Sequence, residues 1–305
     1  MRLQARWLFL VASAGVLPPL VAQDARPIRH AFFVAGPSFT GIVDEYGETQ
    51  WAAPKPRARD GWVLSNGNIL IVWSKEVLEF DSKKKVCWRY RLEAPNKELG
   101  TAQRLPNGNT LITELGPKPR LREIAASGET AVEFALQPET DNAHMQTRMA
   151  RKLPNGDYLV PHLLAHCVKQ YTADGKVVAT IRTDLDELGG RKAENWPFTA
   201  IRLPAGGTLV GCTHGNKVCE FDAAGDVVWQ VHNEDVGGIL DDACGVQRLP
   251  NGNTVIASYH ARPGIKLLEV DRSKKVVWRY SGKHRVHHFQ VLTTNGEPLP
   301  GVPLR

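Results

Sequence analysis

The residues best suited to chemistry in this sequence are its histidines. The 305-residue chain contains ten, and they do not recur at matching places in segments that otherwise look alike. An imidazole can transfer a proton, attack as a nucleophile or bind a divalent metal. We predict that His144, His214, His260 and His288 are catalytic, and that the same four residues and His162 are candidate metal ligands.

Cationic and aromatic side chains accompany these histidines. Arg59 and Arg148 can bind an anionic group, because the planar guanidinium matches carboxylate and phosphate geometry. Trp196 can stack on a sugar or on an aromatic ring. The predicted substrate-binding residues are Arg59, Asp60, Arg148, Trp196 and His287.

Two chemistries fit this set. Histidines from different segments can hold a divalent metal that activates water or polarises a substrate. Alternatively, arginine holds an anion while histidine moves a proton or accepts a transferred group. We predict an enzyme that acts on a small anionic or carbohydrate-like substrate, by metal-assisted hydrolysis, elimination or group transfer. The alternative is a non-catalytic protein that binds a protein or glycan partner.

Standard motifs give no more specific identification. HLLAH (162–166) has two histidines four residues apart, but it lacks the adjacent glutamate and reads as a strand, so we reject a zinc-protease site. GPSFTG (36–41) is not a nucleophile elbow. The sequence shows no phosphate-binding loop, no dinucleotide motif and no specific quinone signature.

A repeat determines where these residues are held. It is present in GWVLSNGNILI (61–71), QRLPNGNTLI (103–112), RKLPNGDYLV (151–160), IRLPAGGTLV (201–210), QRLPNGNTVI (247–256) and the degenerate QVLTTNGEP (290–298). The central glycines lie 41, 48, 50, 46 and 44 residues apart, a period typical of repeat architectures. Asn-Gly between apolar runs indicates a β-hairpin, for which we predict a type I′ turn with positive φ at both residues.

Each repeat predicts one blade of a β-propeller. A third and a fourth apolar run follow each hairpin, so that a unit supplies four antiparallel strands. Five complete units occupy 61–281, while 31–54 and 288–296 together supply a sixth blade. We therefore predict an all-β, six-bladed propeller closed by strands from both termini, which leaves no open sheet edge. A short helix fits only at 184–193. The recurrent fourth-strand tryptophans are predicted to pack within blades: Trp51, Trp88, Trp229 and Trp278.

The propeller assigns most histidines to one face, opposite the Asn-Gly turns. They lie in the links between blades or at the exits of second strands: His144, His162, His166, His214, His260, His284, His287 and His288. Counting back from the turn glycines places Arg59, Arg148, Phe198, Cys244 and His288 at one level beside the central channel. Converging polar groups at a channel mouth predict a ligand site.

The LPNGNTLI-type repeat resembles the repeats of PQQ-like and arylsulfotransferase-like propellers over nearly the whole chain after residue 22. The second resemblance implies an exported six-bladed propeller that transfers a sulfuryl group through a channel histidine. His287 and His288 fit that position, and His144 and Arg148 fit it loosely. The sequence departs from that family in being short and in not matching a full catalytic set. The first resemblance implies quinone binding only in some members.

The N-terminal residues predict export. In residues 1–22, Arg2 and Arg6 precede an apolar stretch and then small residues, as in a secretory signal peptide. The stretch is short and contains two prolines, which disfavours a spanning helix. We predict that 23–305 forms one propeller domain in the periplasm or outside the cell, with no membrane span after signal cleavage.

Charge and cysteine content restrict the partners. The net charge of +6 comes largely from lysines at hairpin tips, so we predict no nucleic-acid partner but a small-molecule or glycan ligand. A closed ring needs no partner to cover an edge, so the fold is compatible with a monomer, and the sequence leaves the oligomeric state open. The five cysteines lack metal-type spacing. Cys212 and Cys219 flank a tight turn either as buried thiols, which we favour, or as a disulfide.

Overall fold

The computed structural model describes residues 27–261 and 264–305, in which six antiparallel sheets form a ring of blades. The predicted six-bladed all-β propeller is confirmed. The predicted signal peptide lies outside the described residues. Within the described ranges, no helix is long and apolar enough to cross a membrane.

Blades 2 to 6 each contain four strands that follow one another along the chain. Blade 2 contains Asp60–Val63, Ile69–Val72, Glu76–Phe80 and Val86–Arg91. Blade 3 contains Glu98–Arg104, Thr110–Leu115, Arg120–Ile124 and Thr130–Ala135. Blade 4 contains Arg151–Lys152, Tyr158–His162, Cys167–Tyr171 and Val177–Arg182. Blade 5 contains Asn195–Arg202, Thr208–His214, Lys217–Phe221 and Val227–His232. Blade 6 contains Ala243–Arg248, Thr254–Ser258, Leu267–Val270 and Val276–Tyr280.

Blade 1 combines strands from both ends of the described chain, as predicted. His288–Thr294 is its first strand and pairs with His30–Ala35, which is followed by Thr40–Val43 and Thr49–Ala52. A short extra strand, Glu297–Pro298, pairs with the opposite side of the first strand. Hydrogen bonds between distant parts of the chain therefore close the ring.

The Asn-Gly hairpins form, but their turn type differs from the prediction. In blade 3, the amide of Gly108 donates to the carbonyl of Leu105 at 2.9 Å, and Gly108 has a φ of +86°. Asn107 is not among the residues with positive φ, so this is a type I turn followed by a glycine bulge. Pro106 is compatible with this turn, because it fixes φ near −65° at a position where a type I turn favours proline, but blade 2 forms the same turn with Ser65 in that place. Only the degenerate copy has positive φ at both residues, Asn295 and Gly296.

Apolar side chains fill the spaces between blades. Ile69–Val72 is buried at all four positions, as expected for a short apolar strand covered on both faces. The outermost strand Val86–Arg91 is mostly exposed. Trp88 and Trp229 pack against the apolar clusters, with an arginine 5.1 Å and 5.8 Å, respectively, from their ring centroids. These contacts confirm the predicted packing role of the recurrent tryptophans.

The links between blades contain the short helices of the described chain. These are the 3-10 helices Ala143–Met145, Asp186–Leu188, Arg191–Ala193 and Asn233–Val236. The helix predicted at 184–193 is thus two separate turns. Gly189 and Gly190 divide them, because both have positive φ, +93° and +64°.

All five cysteines are free thiols. Cys212 and Cys219 lie on neighbouring strands of blade 5, and both are buried. A hydrogen bond between the two thiols, with burial, raises the pKa of Cys212. The favoured prediction of two buried thiols is therefore correct, and the disulfide alternative is not formed.

Candidate functional site

An open cavity of about 550 Å³ occupies the channel mouth on the face that carries the blade-to-blade links. Seven of the predicted site residues line it: Arg59, His144, Arg148, Trp196, His214, His260 and His287. Three predicted residues do not line it: Asp60, His162 and His288. A second cavity, of about 530 Å³ between Lys75 and Asn96, contains none of the predicted residues.

Arg148 is buried without a partner for its charge. Only 3% of the residue is exposed, and its one hydrogen bond within the described chain goes from Nη1 to the carbonyl of Thr147 at 2.8 Å. The charge of Glu98 lies close enough to raise the pKa of Arg148, but no carboxylate of the described residues forms an ion pair with it. Burial and the nearby charge of Arg59 lower the pKa of Arg148 to about 10, so it remains a cation at neutral pH. An unpaired buried charge is costly, and this position therefore favours an anionic ligand.

Arg59 provides a second cation, held by Glu98. Nη2 of Arg59 donates to Oε2 of Glu98, and Nη1 donates to the carbonyl of Leu99 at 3.1 Å. The other oxygen of Glu98 lies 3.3 Å from Nδ1 of His144. Burial raises the pKa of Glu98, but the bonds from His144 and Arg59 outweigh it and lower the pKa to about 2. Glu98 therefore stays ionised and positions both side chains at the cavity edge.

Asp242 orients two histidines on another wall. Its Oδ2 lies 3.0 Å from Nδ1 of His260, and its Oδ1 accepts the backbone amide of His214 at 2.9 Å. Asp242 is buried, whereas half of the His260 side chain is exposed. A buried carboxylate on one ring nitrogen fixes the tautomer and orientation of an imidazole. Nε2 of His260 has no protein partner in the described part of the chain, which suits proton transfer.

Aromatic rings form the rest of the wall. Trp196 packs on the ring of His214, with centroids 4.0 Å apart. The His287 ring lies edge-on to Phe198 and Tyr259, with centroid distances of 4.6 Å and 4.9 Å. Burial, and then the charges of the neighbouring arginines, lower the pKa of His287 to about 3. A neutral His287 can hydrogen-bond a ligand but is too weak a base to hold a proton at neutral pH.

Asp60 and His288 lie below the cavity and are fully buried. Asp60 accepts a hydrogen bond from Thr101 Oγ1 at 2.5 Å and lies 3.3 Å from Nη1 of Arg151. Burial raises the pKa of Asp60, but the charge of Arg151 and its other neighbours bring the pKa well below its usual value. Burial, followed by the adjacent arginine charges, lowers the pKa of His288. Both residues support the channel, and neither reaches a ligand in the cavity.

The position beside the channel that was predicted for His288, equivalent to Arg59 in blade 2, is held by His287. His288 pairs with Ala35 at the start of its strand, the position that Asp60 holds in blade 2, and His287 corresponds to Arg59. Counting back from Gly296 fails for two reasons. The strand contains a bulge between the pairs formed by Thr293 and Val291, and its Asn-Gly turn leads to the extra strand rather than to strand two. A shift of one residue exchanges the two sides of a strand.

The histidines do not form a metal site. His162 is buried inside blade 4, where Nε2 lies 2.8 Å from the hydroxyl of Tyr171, and burial lowers its pKa to about 3. The rings of His144, His214 and His260 each face a different carboxylate, of Glu98, Glu194 and Asp242 respectively. Across residues 27–261 and 264–305, no three His, Cys, Asp or Glu side chains are placed to hold a metal ion. The described residues therefore do not fit the metal alternative.

Glu98, Arg151 and Tyr259 contact the predicted residues or line the cavity but were not predicted. Asp242 belongs to a polar link, residues 238–245, on the face predicted to carry the site, and the structure adds its contact with His260. Glu98 and Arg151 begin first strands, so their place in the repeat was a usable signal. Cys244 also lines the cavity, but burial raises the pKa of its thiol, which does not suit a nucleophile.

Comparisons with known sequences find no match, whereas comparisons with solved structures find similar folds. No protein-family model matches the chain, and no curated protein sequence matches it. A solved structure of a Bacteroides caccae protein of unknown function is 21% identical, with a TM-score of 0.75. The match covers 86% of this chain and 98% of that one.

Lyases also share the propeller fold at lower similarity. A streptogramin B lyase structure is 12% identical over 86% of both chains, with a TM-score of 0.60. A catalytically inactive histidine-to-alanine variant of virginiamycin B lyase from Staphylococcus aureus, solved with quinupristin, gives 12% identity, 86% coverage of both chains and a TM-score of 0.59. These likenesses concern the fold. None of the three identifies a PQQ-like or arylsulfotransferase-like relative, so that resemblance stays a prediction.

Proposed function

We propose that the protein is an enzyme that binds the anionic group of a small substrate at Arg148 and transfers a proton through His260. The main support is the buried charge of Arg148, which lines the cavity and forms no ion pair with a carboxylate among the described residues. Arg59 lies close enough to lower the pKa of Arg148, and Glu98 already balances its charge. One positive charge therefore remains for a ligand.

The size and lining of the cavity define the substrate class. A volume of about 550 Å³ suits a small molecule rather than a protein segment. Trp196, packed against the ring of His214, offers an aromatic ring, and neutral His287 offers a hydrogen bond. These features support a substrate with a carboxylate, sulfate or phosphate on an aromatic or sugar ring.

Proton transfer supplies the chemistry. His260, oriented by Asp242, accepts a proton from the substrate or from water at Nε2 and returns it to the leaving group. Arg148 and Arg59 stabilise negative charge that develops on the bound group. Elimination, hydrolysis and group transfer all use these steps. A lyase reaction is the first to test, because lyases occur on propellers with this fold.

Turnover assays test this proposal. The full chain is incubated with cyclic and linear esters of aromatic acids, unsaturated and saturated sugar acids, and aryl sulfates with a phenol acceptor. For any substrate that is converted, we expect His260→Gln and Asp242→Asn to lower kcat by about 100-fold or more. Asp241→Asn is the matched control, because Asp241 is the adjacent, exposed carboxylate. Full activity in His260→Gln would contradict the assignment, and binding without conversion would favour the non-catalytic alternative.

We also propose that the protein acts as an exported monomer. The support is the charge and apolar pattern of residues 1–22 and the closed ring of blades. Expression of the full chain, followed by N-terminal sequencing of the protein outside the cytoplasm, tests cleavage near residue 22. Uncleaved protein retained in the cytoplasm would contradict export.

A further inference from the structure

The segment 299–305 reaches the central channel below the cavity with its last two residues, Leu304 and Arg305, whereas residues 300–302 are exposed. Leu304 pairs with Arg248 of blade 6, whose amide donates to the Leu304 carbonyl at 3.0 Å. The carbonyl of Arg305 accepts a hydrogen bond from Nε of Arg151 in blade 4 at 2.7 Å. The side chain of Arg305 is fully buried. The segment therefore crosses the channel and contacts several blades.

Both terminal nitrogens of the Arg305 guanidinium contact acceptors from distant parts of the chain, as those of a bound ligand would. Nη2 donates to the carbonyl of Gly61 and lies 3.3 Å from Oδ1 of Asp60. Nη1 donates to the carbonyl of Phe289 at 2.6 Å and lies 3.0 Å from Nδ1 of His288. The acceptors come from blades 1 and 2, and they surround the edge of one planar cation.

Trp62 completes this pocket. Its ring lies against the guanidinium, with Cζ of Arg305 3.8 Å from the ring centroid. A carboxylate, two carbonyls and an imidazole nitrogen meet the two terminal nitrogens of the guanidinium, and the indole meets its face, whereas Nε has no hydrogen-bond partner in the described chain.

Arg305 is not needed to balance the negative charge of Asp60. Among the described side chains, Arg151 and Arg305 both pair with the carboxylate of Asp60. Without Arg305, Asp60 keeps a positive partner in Arg151, while the carbonyls of Gly61 and Phe289 lose the hydrogen bonds from the guanidinium. Hydrogen bonding and the Trp62 ring, rather than net charge, would then favour the entry of another guanidinium.

We propose that the channel contains a guanidinium-binding site occupied by the chain's own Arg305, and that residues 299–305 form a stopper that closes the channel below the cavity. A monosubstituted guanidinium occupies the site when Arg305 is absent. This inference does not depend on whether the cavity is catalytic.

Chemical rescue tests the site. Arg305→Ala opens the pocket, whereas Arg305→Met refills it with an unbranched apolar side chain and serves as the control. Methylguanidinium at millimolar concentration is expected to bind Arg305→Ala one-to-one in calorimetry and to raise its Tm. Methylammonium at equal ionic strength is expected to do neither. The unaltered protein and Arg305→Met are expected not to bind methylguanidinium. Equal responses of all three proteins would overturn the proposal.

A second measurement covers the case in which Arg305→Ala does not fold alone. The variant is then refolded with methylguanidinium or methylammonium, and recovery of native circular dichroism only with methylguanidinium supports the site. No recovery with either would overturn it. For the stopper, hydrogen exchange at the amide of Arg248 is expected to be slow in the unaltered protein and at least tenfold faster in Arg305→Ala. Unchanged exchange would contradict a seated stopper.

Discussion

Arg148 combines burial, positive charge and access to a cavity in one residue. Folding removes its guanidinium from water, and the described protein offers it only a neighbouring carbonyl in return. Such an arrangement lowers stability, and natural proteins tolerate it mainly where function benefits. The same residue therefore links the stability of the protein to its proposed ligand.

Replacement of Arg148 by methionine tests this cost. Without ligand, we expect Arg148→Met to raise Tm by about 2–4 °C, because a stabilisation of about 1 kcal/mol shifts Tm by this amount in a protein of this size. Arg202→Met is the control, since Arg202 has protein partners, the carbonyl of Gly206 and the side chain of Gln170, and its loss is expected to lower Tm. Differential scanning calorimetry gives both values. A lower Tm for Arg148→Met would show that its charge is already satisfied.

His287 makes stability depend on pH in a defined direction. Its pKa is about 3 in the folded protein, whereas an unfolded histidine titrates near about 6.5. Below the unfolded value only the unfolded chain binds the proton, so stability falls as pH decreases from about 6.5 towards 3. We expect His287→Phe, which keeps an aromatic ring, to lose less Tm than the unaltered protein between neutral pH and about pH 5. Identical Tm profiles would contradict a neutral buried His287.

The turns show how local sequence sets an element. Four Asn-Gly copies, three preceded by proline and one by Ser65, form a type I turn with a glycine bulge, in which only the glycine needs positive φ. The sequence predicts the hairpins but not this detail, because Asn-Gly alone fits both turn types. The same limit explains the error at His288, since a bulge inside a strand leaves no mark in the repeat.

Gly108 tests the turn assignment. A Cβ at this position would meet no atom within 4 Å, so substitution affects only the backbone conformation. We expect Gly108→Ala to reduce the free energy of unfolding by about 1 kcal/mol, and Gly108→Asn by less, because asparagine tolerates positive φ. Urea denaturation measures the difference. Equal stability of the alanine variant and the unaltered protein would contradict a left-handed Gly108.

Ring closure is a property of the whole molecule. His30 of blade 1 and Glu269 of blade 6 meet at 2.8 Å, and both side chains are almost fully buried. The regular repeat period and the complementary end segments were enough to predict that strands from both termini close the ring, but not this ion pair. The contents of the channel were not predictable in the same way, because Arg305 lies after the last repeat and has no counterpart in other blades.

A double-mutant cycle measures the contribution of this closing pair. We expect His30→Phe and Glu269→Leu each to destabilise the protein, with a coupling energy of about 1–3 kcal/mol. The reason is that each single change leaves a buried polar partner unsatisfied. Additive effects in urea denaturation would mean that the pair does not contribute to closure.

Anion binding at Arg148 is the central claim, and calorimetric titration tests it most directly. The full chain is titrated with benzoate and with phenyl sulfate, beside Arg148→Met and the Arg202→Met control. We predict one-to-one binding that Arg148→Met weakens by about 10- to 100-fold, the value of about one charged hydrogen bond, and that Arg202→Met leaves unchanged. Absence of binding, or equal affinity in the unaltered protein and Arg148→Met, would contradict the account.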